Sequence, residues 1–198
     1  MRVKLLSLIL FVMFGTSVSA QRANPSVLQQ WDDRVMIDLA NSRTPGETGF
    51  MRFISNTNQY VDIGVPVGLL AGGVIGHDMQ MRQNALYVAS SSAISGVLTM
   101  AIKHIVKRPR PFVQNINIVP VYRAGGYSFP SGHSSSSFTT ATSLSIAYPK
   151  WYVIAPSFLW AGTVAYSRMY LGVHYPTDVA TGTLLGAGTA VSMSFMKK

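Results

Sequence analysis

Stretches without a single Asp, Glu, Lys or Arg fill the second half of the chain: residues 83–102, 124–149, 151–167 and 179–196. Each approaches the ~20 mostly apolar residues that an α-helix needs to cross the hydrocarbon core of a bilayer. Ser, Thr and Gly punctuate all of them, and small residues of this kind let helices pack closely in lipid. The pattern predicts spanning helices over roughly 61–76, 85–102, 134–148, 151–166 and 179–195. Upstream, Val27, Trp31, Val35, Met36 and Leu39 recur at helical spacing, which predicts an amphipathic helix over 27–40 lying on the core or on a membrane surface. Pro45-Gly46 reads as a turn. Pro66, Pro149 and Pro156 mark kinks or helix ends, and Pro120, Pro130 and Pro176 punctuate loops. The expected fold is all-α, a membrane-embedded helical bundle of about five to six helices.

The first residues carry Arg2 and Lys4, an apolar run over 5–14, and Gly15-Thr16-Ser17-Val18-Ser19-Ala20. This reads as a secretory signal cleaved after Ala20, with an uncleaved first span as the alternative. Residues 21–198 then form a single domain of a size that suits one helical bundle, with 21–60 an external amphipathic lead-in carrying most of the acids. A chain starting outside the cytoplasm at residue 21 threads so that 103–110, 130–133 and 168–174 all emerge on the outer face. Arg82, Lys150, Lys197 and Lys198 then fall at inner ends, as positive-inside counting favours. With no Cys in the chain, no disulfide is needed.

A net charge of +9 would ordinarily raise nucleic acid as a partner. No zinc-ligand spacing, Gly-rich phosphate loop or basic stripe interleaved with aromatics accompanies it, so no nucleic acid partner is expected. The charge is instead lopsided. From Met79 onward the chain has ten Lys or Arg and one carboxylate, Asp178, four residues after His174. Such a segment is prepared for an anion, and phosphate fits best.

A phosphate ester resists attack because its oxygens are negative and its leaving group is poor. A catalyst must neutralise charge, supply a nucleophile and protonate the departing oxygen. Arg110 and Arg168 can grip phosphate oxygens through planar forks, and Lys103 adds a compact charge. Ser131 and the Gly132 backbone N–H can donate further. His174 is a plausible nucleophile if one ring nitrogen is free while a carboxylate holds the other, which Asp178 can do from the first turn of a helix begun by Pro176. His133 would protonate the leaving alcohol and later activate water. No metal or cofactor is called for. His77 and His104 are read as ordinary satisfied histidines, Lys107, Arg108 and Arg123 as loop or membrane-surface cations, and residues 134–137 as small-residue helix packing with Ser134 close to the site.

Three blocks carry this chemistry in order: Lys103-x6-Arg110-Pro111, Pro130-Ser131-Gly132-His133, and Ser167-Arg168-x5-His174-x3-Asp178. Together, over residues 103–178, they resemble the type 2 phosphatidic acid phosphatase (PAP2) superfamily, which also includes bacterial class A acid phosphatases and vanadium haloperoxidases. The resemblance implies a phosphohistidine on His174, Asp178 orienting it, His133 as acid, and Lys103, Arg110, Ser131, Gly132 and Arg168 binding phosphate. It further implies a phosphatase of the bacterial cell envelope with an extracytoplasmic site. Its expected partners are the membrane and a lipid phosphate substrate: undecaprenyl diphosphate, phosphatidylglycerol phosphate, phosphatidic acid or lipid A phosphate. The alternatives are a soluble periplasmic acid phosphatase, a vanadate-dependent haloperoxidase, although those chains are generally much longer, and an inert lipid-phosphate binder or transporter, which would gain little from an oriented nucleophile.

Overall fold

The computed structural model describes residues 25–197, so the expected signal segment lies outside the described residues. The helices are α1 (Val27–Asn41), α2 (Pro45–Ile75), α3 (Met79–Val106), the short α4 (Pro111–Gln114), α5 (Gly132–Ala147), α6 (Trp151–Tyr170) and α7 (Pro176–Ser192), followed by a single 3-10 turn. No strand occurs among the described residues. The all-α expectation holds, with five long helices and the shorter amphipathic α1.

Local signals explain the starts. Ser26 caps α1 by accepting from Gln29 N, and Asp78 caps α3 by accepting from Met81 N at 2.9 Å. Pro45-Gly46, expected to turn, opens a helix instead. Thr44 accepts from Glu47 N and donates to Glu47 Oε2 at 2.8 Å, while Pro45 takes the first helical position, where its missing N–H costs nothing. From there α2 runs 31 residues without interruption, through the part of the lead-in that follows residue 45. Pro66 and Pro156 lie inside α2 and α6 rather than at their ends.

At the centre α5 packs against α7, α6, α3 and α2. Its approach to α7 is set by two glycines. A Cβ at Gly182 would sit 2.5 Å from the Ser131 carbonyl oxygen, and one at Gly186 would sit 2.1 Å from that of Ser135. Small polar residues share the interior with Tyr87, Val88, Val164 and several alanines: Ser91, Ser95, Thr99, Ser135, Ser137, Thr139, Thr140 and Ser143 are buried. Many satisfy themselves on the preceding helical turn, as Thr139 does on Ser135 O and Ser143 on Thr139 O, or across helices, as Ser95 does with Ser135 at 2.7 Å.

Large apolar side chains lie on the outside. Ile63, Val67, Val97, Ile105, Leu159 and Leu184 are all exposed. An interior this rich in small polar residues beneath an exterior rich in large apolar ones suits lipid as the surrounding solvent. Two segments, Met79–Gln114 and Pro176–Met196, are long and apolar enough to cross a membrane.

The amphipathic α1 docks differently from its predicted stripe. Val27 and Trp31 are exposed, while Met36 and Asp32 are fully buried. Met36 joins Ile118 and Tyr175 in a cluster at the loop end of the bundle.

Candidate active site

Three loops meet at one end of the bundle: the one after α3, the one entering α5, and the α6–α7 connection. Arg168, in the last turn of α6, fixes the third. Its carbonyl accepts from Val173 N at 3.2 Å and His174 N at 3.3 Å, folding 171–175 back over the helix end. Gly172 permits this fold with φ +79°. A Cβ there would fall 2.9 Å from both Arg43 Nη2 and Pro120 Cα.

Buried in this loop, His174 presents its two ring nitrogens to opposite partners. Nδ1 lies 3.7 Å from Asp178 Oδ2, beyond hydrogen-bond length and without another partner, whereas Nε2 lies 3.3 Å from Arg110 Nη1. Burial, with Arg168 and Arg110 adding repulsion, pushes the His174 pKa down to about 3 despite the pull of Asp178. The ring is therefore neutral near pH 7 and keeps a lone pair.

Asp178 is fully buried in the first turn of α7. Three donors hold it: Arg108 Nη1 at 2.7 Å on Oδ1, and Ser128 Oγ and Tyr175 N on Oδ2.

Around His174 stand the cations. Arg110 is buried and braced by the carbonyls of Val173, at 2.8 Å, and Gly125, at 2.6 Å. Lys103 reaches the carbonyls of Tyr127 and Ser128. Arg168 donates to Ser55 Oγ on α2, but its buried Nε has no partner. An unsatisfied buried donor costs about 1–3 kcal/mol, and a phosphate oxygen is the kind of group that would satisfy it.

His133 stands in the first turn of α5, at its loop end. Burial and the charges of Arg168, His174, Arg110 and Lys103 push its pKa down to about 3.

Ser131 Oγ caps α5. It accepts from Ser134 N and from Ser134 Oγ at 2.9 Å, so it keeps its own proton to give. Its backbone N donates to Asp178 O at 3.0 Å, tying the second block to the third. At Gly132 a Cβ would meet nothing nearer than Thr99 Cγ2 at 3.9 Å, so neighbouring protein atoms do not demand glycine there.

All eight residues singled out from the sequence thus come to one end of the bundle. Three further participants were missed. Arg108, read as a surface cation, is bound to Asp178. Ser128 and Asp32 complete the same polar network. The remaining histidines lie elsewhere. Both are exposed rather than packed, His77 with φ 52° and His104 with Nδ1 2.8 Å from Met100 O.

The family model described as the PAP2 superfamily matches residues 84–198. The chain is 36% identical over 145 residues to an undecaprenyl-diphosphatase of Sulfolobus acidocaldarius, covering 70% of this chain and 65% of that protein. It is 34% identical over 158 residues to the decaprenylphosphoryl-5-phosphoribose phosphatase of Mycobacterium tuberculosis, covering 77% and 82% respectively. For the first three curated relatives the chain spans 52%, 65% and 34% of their length. The crystal structure of a transmembrane PAP2 type phosphatidylglycerolphosphate phosphatase from Bacillus subtilis shares the fold, with a TM-score of 0.71 at 23% identity over 98% of this chain and 94% of that one. With more than half its length matched by the family model and its three motif blocks gathered around one buried histidine, the chain belongs to the PAP2 superfamily.

Proposed function

We propose that this protein is an integral membrane phosphatase that hydrolyses a lipid phosphate or diphosphate through a phosphohistidine, using its own cations in place of a metal. The observation that carries the reading is the orientation of His174, one nitrogen toward a carboxylate and the other toward an arginine that can hold the phosphoryl group.

In the first step His174 Nε2 attacks phosphorus, the P–O bond to the lipid breaks, and His133 passes to the departing oxygen a proton that enters with the phosphate. Asp178 receives the Nδ1–H as the ring gains positive charge, and the 3.7 Å gap leaves room for this contact to tighten. Arg110, Arg168 and Lys103 spread the phosphoryl charge, and Ser131 with the start of α5 donates to its oxygens. In the second step His133 takes a proton from water, whose oxygen attacks phosphorus. The P–N bond then breaks and inorganic phosphate leaves.

The names of the relatives point to isoprenoid and glycolipid phosphates, and the apolar exterior of the bundle fits a substrate delivered from the bilayer. Arg82, Lys150 and Lys197 lie at the end opposite the site, which supports a cytoplasmic position for that end and an extracytoplasmic one for the catalytic end.

The test is phosphate release in detergent from undecaprenyl diphosphate, phosphatidylglycerol phosphate, phosphatidic acid and lipid A, beside a water-soluble ester. At least one lipid should be favoured over the soluble ester by a factor on the order of 100, the reach of a few apolar contacts, and EDTA should leave turnover unchanged. Preference for the soluble ester, together with release of the protein from membranes by carbonate, would establish the soluble acid phosphatase instead.

A pH dependence follows from the two histidines. Because both pKa values lie near 3 in the free enzyme, the proton needed by the leaving group at neutral pH has to arrive with the phosphate. For a monoester kcat/KM should therefore fall as pH rises through the second phosphate pKa, ~6. A profile flat from pH 5 to 9 would contradict this protonation scheme.

A further inference from the structure

Asp32 is a fully buried carboxylate on a helix whose pattern suggested a surface element, and it is far from solitary. Its Oδ1 accepts from Thr177 N at 3.1 Å, and its Oδ2 accepts from Thr177 Oγ1 and, at 2.7 Å, from Arg108 Nη2. Gln29, one turn earlier on α1, accepts from the same Arg108 nitrogen at 2.8 Å. The other nitrogen of Arg108 bonds Asp178 Oδ1 and Thr177 Oγ1, both at 2.7 Å, and the guanidinium lies 4.1 Å from the centre of the Tyr175 ring. Tyr175 gives no side-chain cap to α7, so Asp32 acts as that cap from another helix.

We infer that Asp32 is a positioning residue for the reaction, acting through Arg108 on Asp178 and thereby on His174; this rests on the function proposed above. If Arg108 faced Asp178 alone, it would neutralise the carboxylate that must support the positive charge His174 acquires on attack. Shared between two carboxylates, Arg108 leaves the Asp32–Arg108–Asp178 group with a net charge of −1. At the same time Asp32 fixes the first turn of α7, where Asp178 resides. The helix α1 thus contributes to catalysis without touching substrate.

The groups facing His174 are Arg110, Arg168 from α6, His133 from α5 and Asp178 from α7. Those facing Asp178 are Arg108, Lys103, Arg110, Tyr175 and His174. Among these, only the Asp178 charge favours protonated His174, so the acidic limb of kcat/KM reports how strongly that carboxylate acts.

Asp32→Asn keeps an acceptor for Thr177 and removes the charge. Relative to wild type, it should lower kcat about tenfold, a loss of the size that outer partners of oriented histidines carry in metal sites. KM should stay within about twofold, and the acidic limb should move to lower pH. Arg108→Gln should move the limb the opposite way, because Asp178 loses its counter-charge. Asp33→Asn, next in sequence and bonded instead to Asn115 and Gln29, should keep the wild-type profile.

Each variant is checked for monodispersity and melting temperature in detergent, and if Asp32→Asn is not recovered folded, the limb of Arg108→Gln decides. A fall in kcat with both limbs unmoved would reduce Asp32 to a helix cap and overturn the inference while wild-type turnover persists. A wild type without turnover on any lipid phosphate would overturn the proposed function, and this inference with it.

Discussion

Replacing His174 with alanine should abolish turnover by about five powers of ten, the scale seen when a residue of a catalytic unit is removed. No other group can take over. His133 is the nearest imidazole, but its surroundings are those of an acid, without a carboxylate placed as Asp178 is beside His174. Denaturing gels run at alkaline pH, where phosphohistidine survives, should trap label from a radioactive lipid phosphate on wild type and none on His174→Ala. His133→Ala should lose about two to four powers of ten, the range of general acid–base catalysis, while retaining the ability to become labelled by a substrate with a good leaving group. Full turnover in His174→Ala would defeat the assignment of the nucleophile.

The second large effect concerns assembly. Gly186→Ala places a methyl 2.1 Å from Ser135 O and 2.9 Å from Thr139 Oγ1. Backbone and a fixed helical hydroxyl cannot yield as a flexible side chain would, so α7 must move away from α5 along its length. The expected cost exceeds about 4 kcal/mol, the tail of single-substitution effects and comparable to the whole margin of many domains. Gly186→Ala should yield no monodisperse protein after extraction. Gly188→Ala, two residues on, meets nothing within 4 Å. It should be recovered normally, with a stability gain of up to ~1 kcal/mol from helix propensity. Equal yields of the two variants would show that the helices do not meet at Gly186.

Most of the site was legible because its chemistry is local in sequence. His174 and Asp178 are one helical turn apart, Ser131 and His133 sit at a helix start, and Lys103 and Arg110 bracket a helix end. The helices predicted within the charge-free runs also located α3, α5, α6 and α7 to within a few residues, with the largest offset, six, at the start of α3. What escaped was whatever depends on a distant partner. Asp32 lies 76 residues from Arg108 and 145 from Thr177, and by pattern alone it belongs to the polar face of a surface helix. Arg108 sits in a basic run that a membrane surface explains equally well. The start of α2 is a different kind of miss, since Thr44, Pro45 and Glu47 form a legible capping signature that the Pro-Gly pair obscured.

The close seat of α7 on α5 has one more consequence. Main chain meets main chain at Gly182 and Gly186, and the Ser131 amide is tied to Asp178, so the helix start that carries His133 is fixed against the turn that carries Asp178. For the function proposed above, the two imidazoles then keep their spacing while one substrate leaves and the next arrives.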